Sequence, residues 1–150
     1  MTEKWIYFDL DGTVANLYGV PAWLDMLIAE DPTPYRIAAP MLNMNVLARK
    51  LNKLQKMGFH IGIISWLSKN GTEEYDVKVT AAKRAWLNQH LHSVKWDVIH
   101  IVPYGRDKWE VCGAGILFDD EQKNRDNWTG TSFDVDSIIE ILKGFLKNPS

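Results

Sequence analysis

The stretch Trp5-Ile6-Tyr7-Phe8-Asp9-Leu10-Asp11-Gly12-Thr13 decides how the rest of the chain is read. Its four apolar or aromatic residues in a row predict a short, fully buried strand over residues 5–8. Two carboxylates follow at once. Side chains alternate along an extended chain, so Asp9 and Asp11 project to one side while Leu10 turns away. Side by side they repel. A divalent cation between them makes the pair tolerable, and hard oxygen donors of this kind suit magnesium. Gly12 permits a tight turn straight after the pair, and Thr13 can hydrogen-bond the neighbouring backbone. An isolated Asp-x-Asp is commonly no more than a polar strand cap; this one closes a buried apolar run and leads into Gly-Thr.

Outward from this point, further apolar bursts at 60–64, 97–102 and 114–118 read as strands, with a shorter fifth at 131–133. Between them lie segments of helical period. Over residues 45–57, Val46, Leu47, Leu51 and Leu54 share one side, and Gly58 stands where a helix commonly stops. Residues 74–91 and 135–146 read as two more helices. Strands alternating with helices predict an α/β fold, a Rossmann-like three-layer sandwich around an open, mostly parallel five-stranded sheet. In such sheets ligands bind beyond the carboxyl ends of the strands.

The other strand ends carry the rest of a pattern. Ser65 ends the second strand, where a hydroxyl can donate to a phosphoryl oxygen or simply shape a turn. Lys108 precedes the fourth strand, placed to reach back over the strand ends or to sit in solvent. Lys83 and Lys123 are next in order for the same role. Asp119 and Asp120 end the fourth strand as a second acidic pair, costly to bury without a cation. Acidic pair, hydroxyl, lysine and acidic pair thus occur in order, each at or near a predicted strand end.

The chain of 150 residues fits one domain, residues 1–150, with 46% hydrophobic and 24% charged residues, as in soluble globular proteins. A net charge of −2 gives no electrostatic reason for strong nucleic-acid or membrane binding. The lone Cys112 has no internal disulfide partner, and the amino-terminal residues lack a basic stretch leading into an apolar one. With no apolar run of membrane-spanning length, these features predict a cytoplasmic protein without a membrane partner. The histidines show no metal-ligand spacing. The seven tryptophans exceed ordinary usage, and Trp5, Trp86 and Trp96 are expected in the core.

From Trp5 to Trp128 the sequence resembles the haloacid dehalogenase superfamily of phosphohydrolases. Phe8-Asp9-Leu10-Asp11-Gly12-Thr13-Val14 carries the first motif, Ser65 the second, Lys108 the third and Asp119-Asp120 the fourth. The resemblance implies that Asp9 is a nucleophile forming an aspartyl-phosphate, and that Asp11 protonates the leaving group and then deprotonates water. It implies that Ser65 and Lys108, with Gly12 and Thr13 of the first motif, bind the phosphoryl group. It implies magnesium on Asp9, the backbone carbonyl of Asp11 and Asp120, with Asp119 as a second or water-mediated contact. The sheet order 5-4-1-2-3 is expected on the same ground.

Two departures shape the substrate expectation. Trp66 follows the second-motif serine, where relatives often carry a small or polar residue. A cap is minimal: residues 16–42 offer only a small helical flap with one helix at about 21–30. An open site admits a small phosphomonoester, a nucleotide or a nucleic-acid end. Weaker similarities to 5′(3′)-deoxyribonucleotidases and to the phosphatase half of polynucleotide kinase-phosphatases point to nucleotide-like substrates, with Tyr18, Trp23 and Trp66 available to stack on a base or to pack in the flap. Arg49, Lys50, Lys53 and Lys56 can touch a phosphate backbone or form a solvated helix face. The competing readings are a phosphotransferase using the same intermediate, a catalytically silent binding or regulatory module, and a receiver-like switch. The intact set Asp9, Asp11, Lys108 and Asp120 argues against silence, and Asp-x-Asp-Gly-Thr argues against a receiver.

Overall fold

The computed structural model describes residues 4–148. Its centre is β1 (Lys4–Phe8), flanked by β4 (Phe59–Trp66) and β6 (Ile116–Phe118), with β5 (Val98–Val102) and β7 (Thr131–Phe133) at the edges. The order is β5-β4-β1-β6-β7, and every pairing in this sheet is parallel. In chain order this is the 5-4-1-2-3 arrangement read from the other edge.

Alternation along β1 explains why a continuous apolar run was needed. Ile6 and Phe8, with Leu10 beyond the strand, join one buried cluster with Leu51 and Leu54 of α3 (Met44–Lys56), Trp86 of α4 (Glu73–His90) and Leu142 of α7 (Ile138–Lys147). Tyr7 faces the other way and joins Ile64, Leu117 and Trp128. Both faces are covered, as a parallel sheet requires. Asn43 caps α3 by accepting from the Val46 N–H at 3.0 Å, and Gly58, at φ +99°, follows its end.

The fourth strand is shorter than its apolar run: Gly113 and Gly115 adopt positive φ, and Gly115 offers the sheet only its carbonyl, which accepts from the Thr131 N–H at 3.1 Å. The single helix expected at 21–30 is also shorter. It is α1 (Trp23–Ile28), bracketed by left-handed Ala22 and Glu30. A second short helix, α2 (Thr33–Ile37), follows, and β2 (Ala15–Asn16) pairs antiparallel with β3 (Ala39–Pro40) at the base of this insertion. Two more short helices, α5 (Lys108–Cys112) and α6 (Gln122–Asn127), lie on either side of β6 in the sequence. Of the tryptophans expected inside, Trp86 is fully buried; Trp5 and Trp96 are half-buried, and Trp128 takes an interior place instead. Trp5 stacks on Tyr7 and His60.

Candidate active site

Parallel register sets the geometry. Phe8 of β1 lies opposite Phe118 of β6, and the Asp9 N–H donates to the Phe118 carbonyl at 2.9 Å. Asp9 and Asp119 therefore leave the sheet side by side. Carboxylate oxygens of Asp9, Asp119 and Asp120 come within 4.8 Å of one another. Lys108, at the first position of α5, enters between two of them. Its Nζ lies 3.0 Å from Asp9 Oδ1 and 2.6 Å from Asp119 Oδ2. Burial pulls the Lys108 ammonium towards neutrality, but the Asp9 and Asp119 charges outweigh it and its pKa is raised.

The first turn fixes the cluster from the other side. Gly12 adopts φ +81°, and a Cβ there would run into the Asp120 carboxylate and the Tyr18 ring. Thr13 Oγ1 lies 3.1 Å from Asp9 Oδ2 and 3.3 Å from Asp120 Oδ1, and it accepts from the Asp120 N–H at 3.2 Å. The Gly12 and Thr13 backbone N–H groups donate to Ala15 and Leu10 carbonyls. Both residues, expected at the phosphate, spend these groups on shaping the turn and the carboxylates.

Asp119 is surrounded by protein donors. Besides Lys108, its Oδ2 accepts from Asn124 Nδ2 at 3.1 Å, and its Oδ1 accepts from the Glu121 N–H at 3.0 Å. Asp120 accepts from the Thr13 hydroxyl and shares a side-chain hydrogen bond with Asp9. Burial first, then the Asp9 charge, lifts both carboxyls above the usual range.

Asp11 and Ser65 meet through a residue that sequence reading placed only as a substitute for Lys108. Lys83, on α4, has no exposed surface. Its Nζ lies 2.9 Å from Asp11 Oδ2, 2.7 Å from Ser65 Oγ and 2.6 Å from the Trp66 carbonyl oxygen. A signal for it was present in the sequence: Lys83 falls on the buried stripe Tyr75, Val79, Lys83, Trp86, Leu87. Burial lifts the Asp11 carboxyl, the nearby Lys83 charge opposes the shift, and Asp9 adds to it; the net direction is upward. Asn124 lies on a helix too short to be read from periodicity.

Asp9, Asp11 and Lys108 open on a cavity of about 400 Å³. Tyr18, Trp23 and Trp66 all line it, and so do Tyr104 and Lys69, which the sequence did not single out. Trp66 donates its Nε1–H to the Arg106 carbonyl at 2.8 Å, and its ring packs 5.0 Å from that of Tyr104. It is thus held as a wall of the cavity. None of Arg49, Lys50, Lys53 and Lys56 borders that space.

No family model and no curated protein matches the chain. Among solved structures, 97% of the chain aligns with 99% of the D,D-heptose 1,7-bisphosphate phosphatase of Burkholderia thailandensis, at 11% identity and a TM-score of 0.55. The chain shares the fold of this phosphatase. The HAD domain of the Legionella pneumophila effector Lem4 also aligns, over 97% of this chain and 95% of that one, at 14% identity and a TM-score of 0.49. At these identities the likeness is one of fold, so chemistry must be argued from the side chains. The donor set fits a hard divalent cation. Four carboxylates, those of Asp9, Asp11, Asp119 and Asp120, face two ammonium groups, Lys83 and Lys108, leaving a formal excess of two negative charges.

Proposed function

We propose that this chain is a magnesium-dependent phosphomonoesterase that works through an aspartyl-phosphate on Asp9. The carrying observation is the setting of Asp9. One carboxylate oxygen meets Lys108 and the other meets Thr13, at the floor of a cavity that also presents Asp11. A carboxylate pinned at both oxygens is pre-oriented, so little reorganisation is left for attack.

In the first step an Asp9 oxygen attacks phosphorus, the bond to the leaving alcohol breaks, and Asp11 gives that alcohol a proton. In the second, Asp11 takes a proton from water, the water oxygen attacks phosphorus, and the bond to Asp9 breaks to release inorganic phosphate. Lys108 offsets the charge of the phosphoryl oxygens; Ser65, expected at the same group, has no exposed surface and does not border the cavity. Asp9, Asp120 and the Asp11 carbonyl would hold magnesium, which would supply positive charge against the phosphoryl oxygens. With its oxygens engaged by Lys108, Asn124 and Glu121, Asp119 orients the lysine.

For the substrate we propose a nucleotide or the terminal phosphate of a nucleic acid. The support is the ring-lined wall of Tyr18, Trp23, Trp66 and Tyr104 beside the carboxylates, since flat rings stack on any base. The test is a panel of nucleotides, phosphorylated oligonucleotides and sugar phosphates, ranked by kcat/KM. Nucleotide-like substrates are expected at the top, and Trp66→Ala is expected to reduce their advantage. A panel led by sugar phosphates, with Trp66→Ala silent, overturns the substrate assignment while leaving the chemistry standing.

A further inference from the structure

We propose that Lys83 is a positioning residue that locks the Asp11 carboxylate to the buried Ser65 hydroxyl and so fixes the orientation of Asp11 in the cavity. The inference rests on the phosphatase reading above and adds a second lysine to it, one that touches neither substrate nor Asp9. Lys83 and Ser65 are both fully buried and neither borders the cavity, whereas Asp11 does, so Lys83 acts on the site through Asp11.

An ammonium has three N–H donors and no acceptor. Lys83 has three acceptors: Asp11 Oδ2, Ser65 Oγ and the Trp66 carbonyl oxygen, at 2.9, 2.7 and 2.6 Å. All its donors are used. The Tyr35 ring lies against the same ammonium, 4.9 Å from Nζ to its centroid. Asp11 and Ser65, which come from β1 and β4 ends, are held in one frame by a side chain from α4. The acid–base carboxylate is then held by an anchor that lies outside the cavity.

The division of labour between the lysines is sharp. Lys108 serves the nucleophile and Asp119, whereas Lys83 serves the acid–base carboxylate and the hydroxyl. A lysine present only to neutralise buried charge would affect stability alone. One that positions Asp11 and Ser65 must lose its catalytic effect when both are gone.

The experiment is therefore a mutant cycle on an aryl phosphate, with melting curves for each variant. Lys83→Met is expected to lower kcat/KM about 100-fold in the native background, and less than about threefold in Asp11→Asn/Ser65→Ala protein. Equal losses in both backgrounds overturn the proposal. Should Lys83→Met not fold, the Nζ resonance of Lys83 in 15N-labelled protein decides instead. It is expected to shift in Asp11→Asn and in Ser65→Ala; a resonance unmoved by either overturns the assignment. Native protein without activity on any phosphomonoester would sink the phosphatase reading, and the resonance measurement would still judge the anchor.

Discussion

One hydroxyl proton cannot serve two carboxylates at once, and Thr13 stands within reach of Asp9 and Asp120 while accepting from the Asp120 backbone. Thr13→Val keeps the shape and removes the bridge. Leaving its buried partners unsatisfied is expected to cost about 1–3 kcal/mol of stability, read by urea unfolding, together with a loss of kcat. Unchanged turnover would mean that Thr13 only shapes the turn. Lys108 carries more. It lies between Asp9 and Asp119, both almost wholly buried, so Lys108→Ala leaves two carboxylates facing phosphate without their cation. A rate loss of at least about 100-fold is expected in steady-state kinetics. A mild loss would transfer the role to another cation. At Gly12, alanine combines an unfavourable φ of +81° with a clash against Asp120. Gly12→Ala is expected to be both less stable and inactive, checked by melting and turnover together.

Among elements, the insertion between β2 and β3 is tied down at several points. Glu30 accepts from the Thr72 N–H and hydroxyl, Tyr75 donates to the Asp31 carbonyl at 3.0 Å, and Trp86 donates to the Ala38 carbonyl at 2.7 Å. Tyr35 meets Ser68 at 2.5 Å. Thr72 is also the N-cap of α4, so Glu30 joins the insertion to the start of that helix. Glu30→Ala is expected to lower stability by about 1 kcal/mol and to quicken proteolysis within residues 16–42. Unaltered proteolysis would mean the remaining contacts suffice. Element length also explains what could be read in advance. The strands and α3, α4 and α7 announced themselves by apolar runs or several helical turns. Helices α2, α5 and α6 run five or six residues, too few turns for a period to show, and of the helix expected at 21–30 only the six residues of α1 form. Lys83 escaped for a different reason: a charged residue on an apolar stripe reads as the stripe's edge until its partners, distant in sequence, are in place.

For the molecule as a whole, the excess of carboxylates at one sheet edge links fold to ligand. Folding crowds Asp9, Asp119 and Asp120 together, and burial with mutual repulsion raises the pKa values of the latter two. A cation bound only by the native state stabilises it by about 2.7 kcal/mol at one hundred times its Kd. Magnesium is therefore expected to raise Tm, and Asp120→Asn to abolish most of the rise; a Tm indifferent to magnesium would contradict the cation site. The strand-end residues were legible because a parallel sheet brings successive strand ends to one edge. Which of them touch was not legible, since that depends on register and side-chain reach.

The most direct test of the central claim is phosphate release from an aryl phosphate, with magnesium or with chelator, by native protein and by Asp9→Asn. Release that requires magnesium and disappears in the folded variant is expected. Release that persists in Asp9→Asn would contradict a covalent route through Asp9.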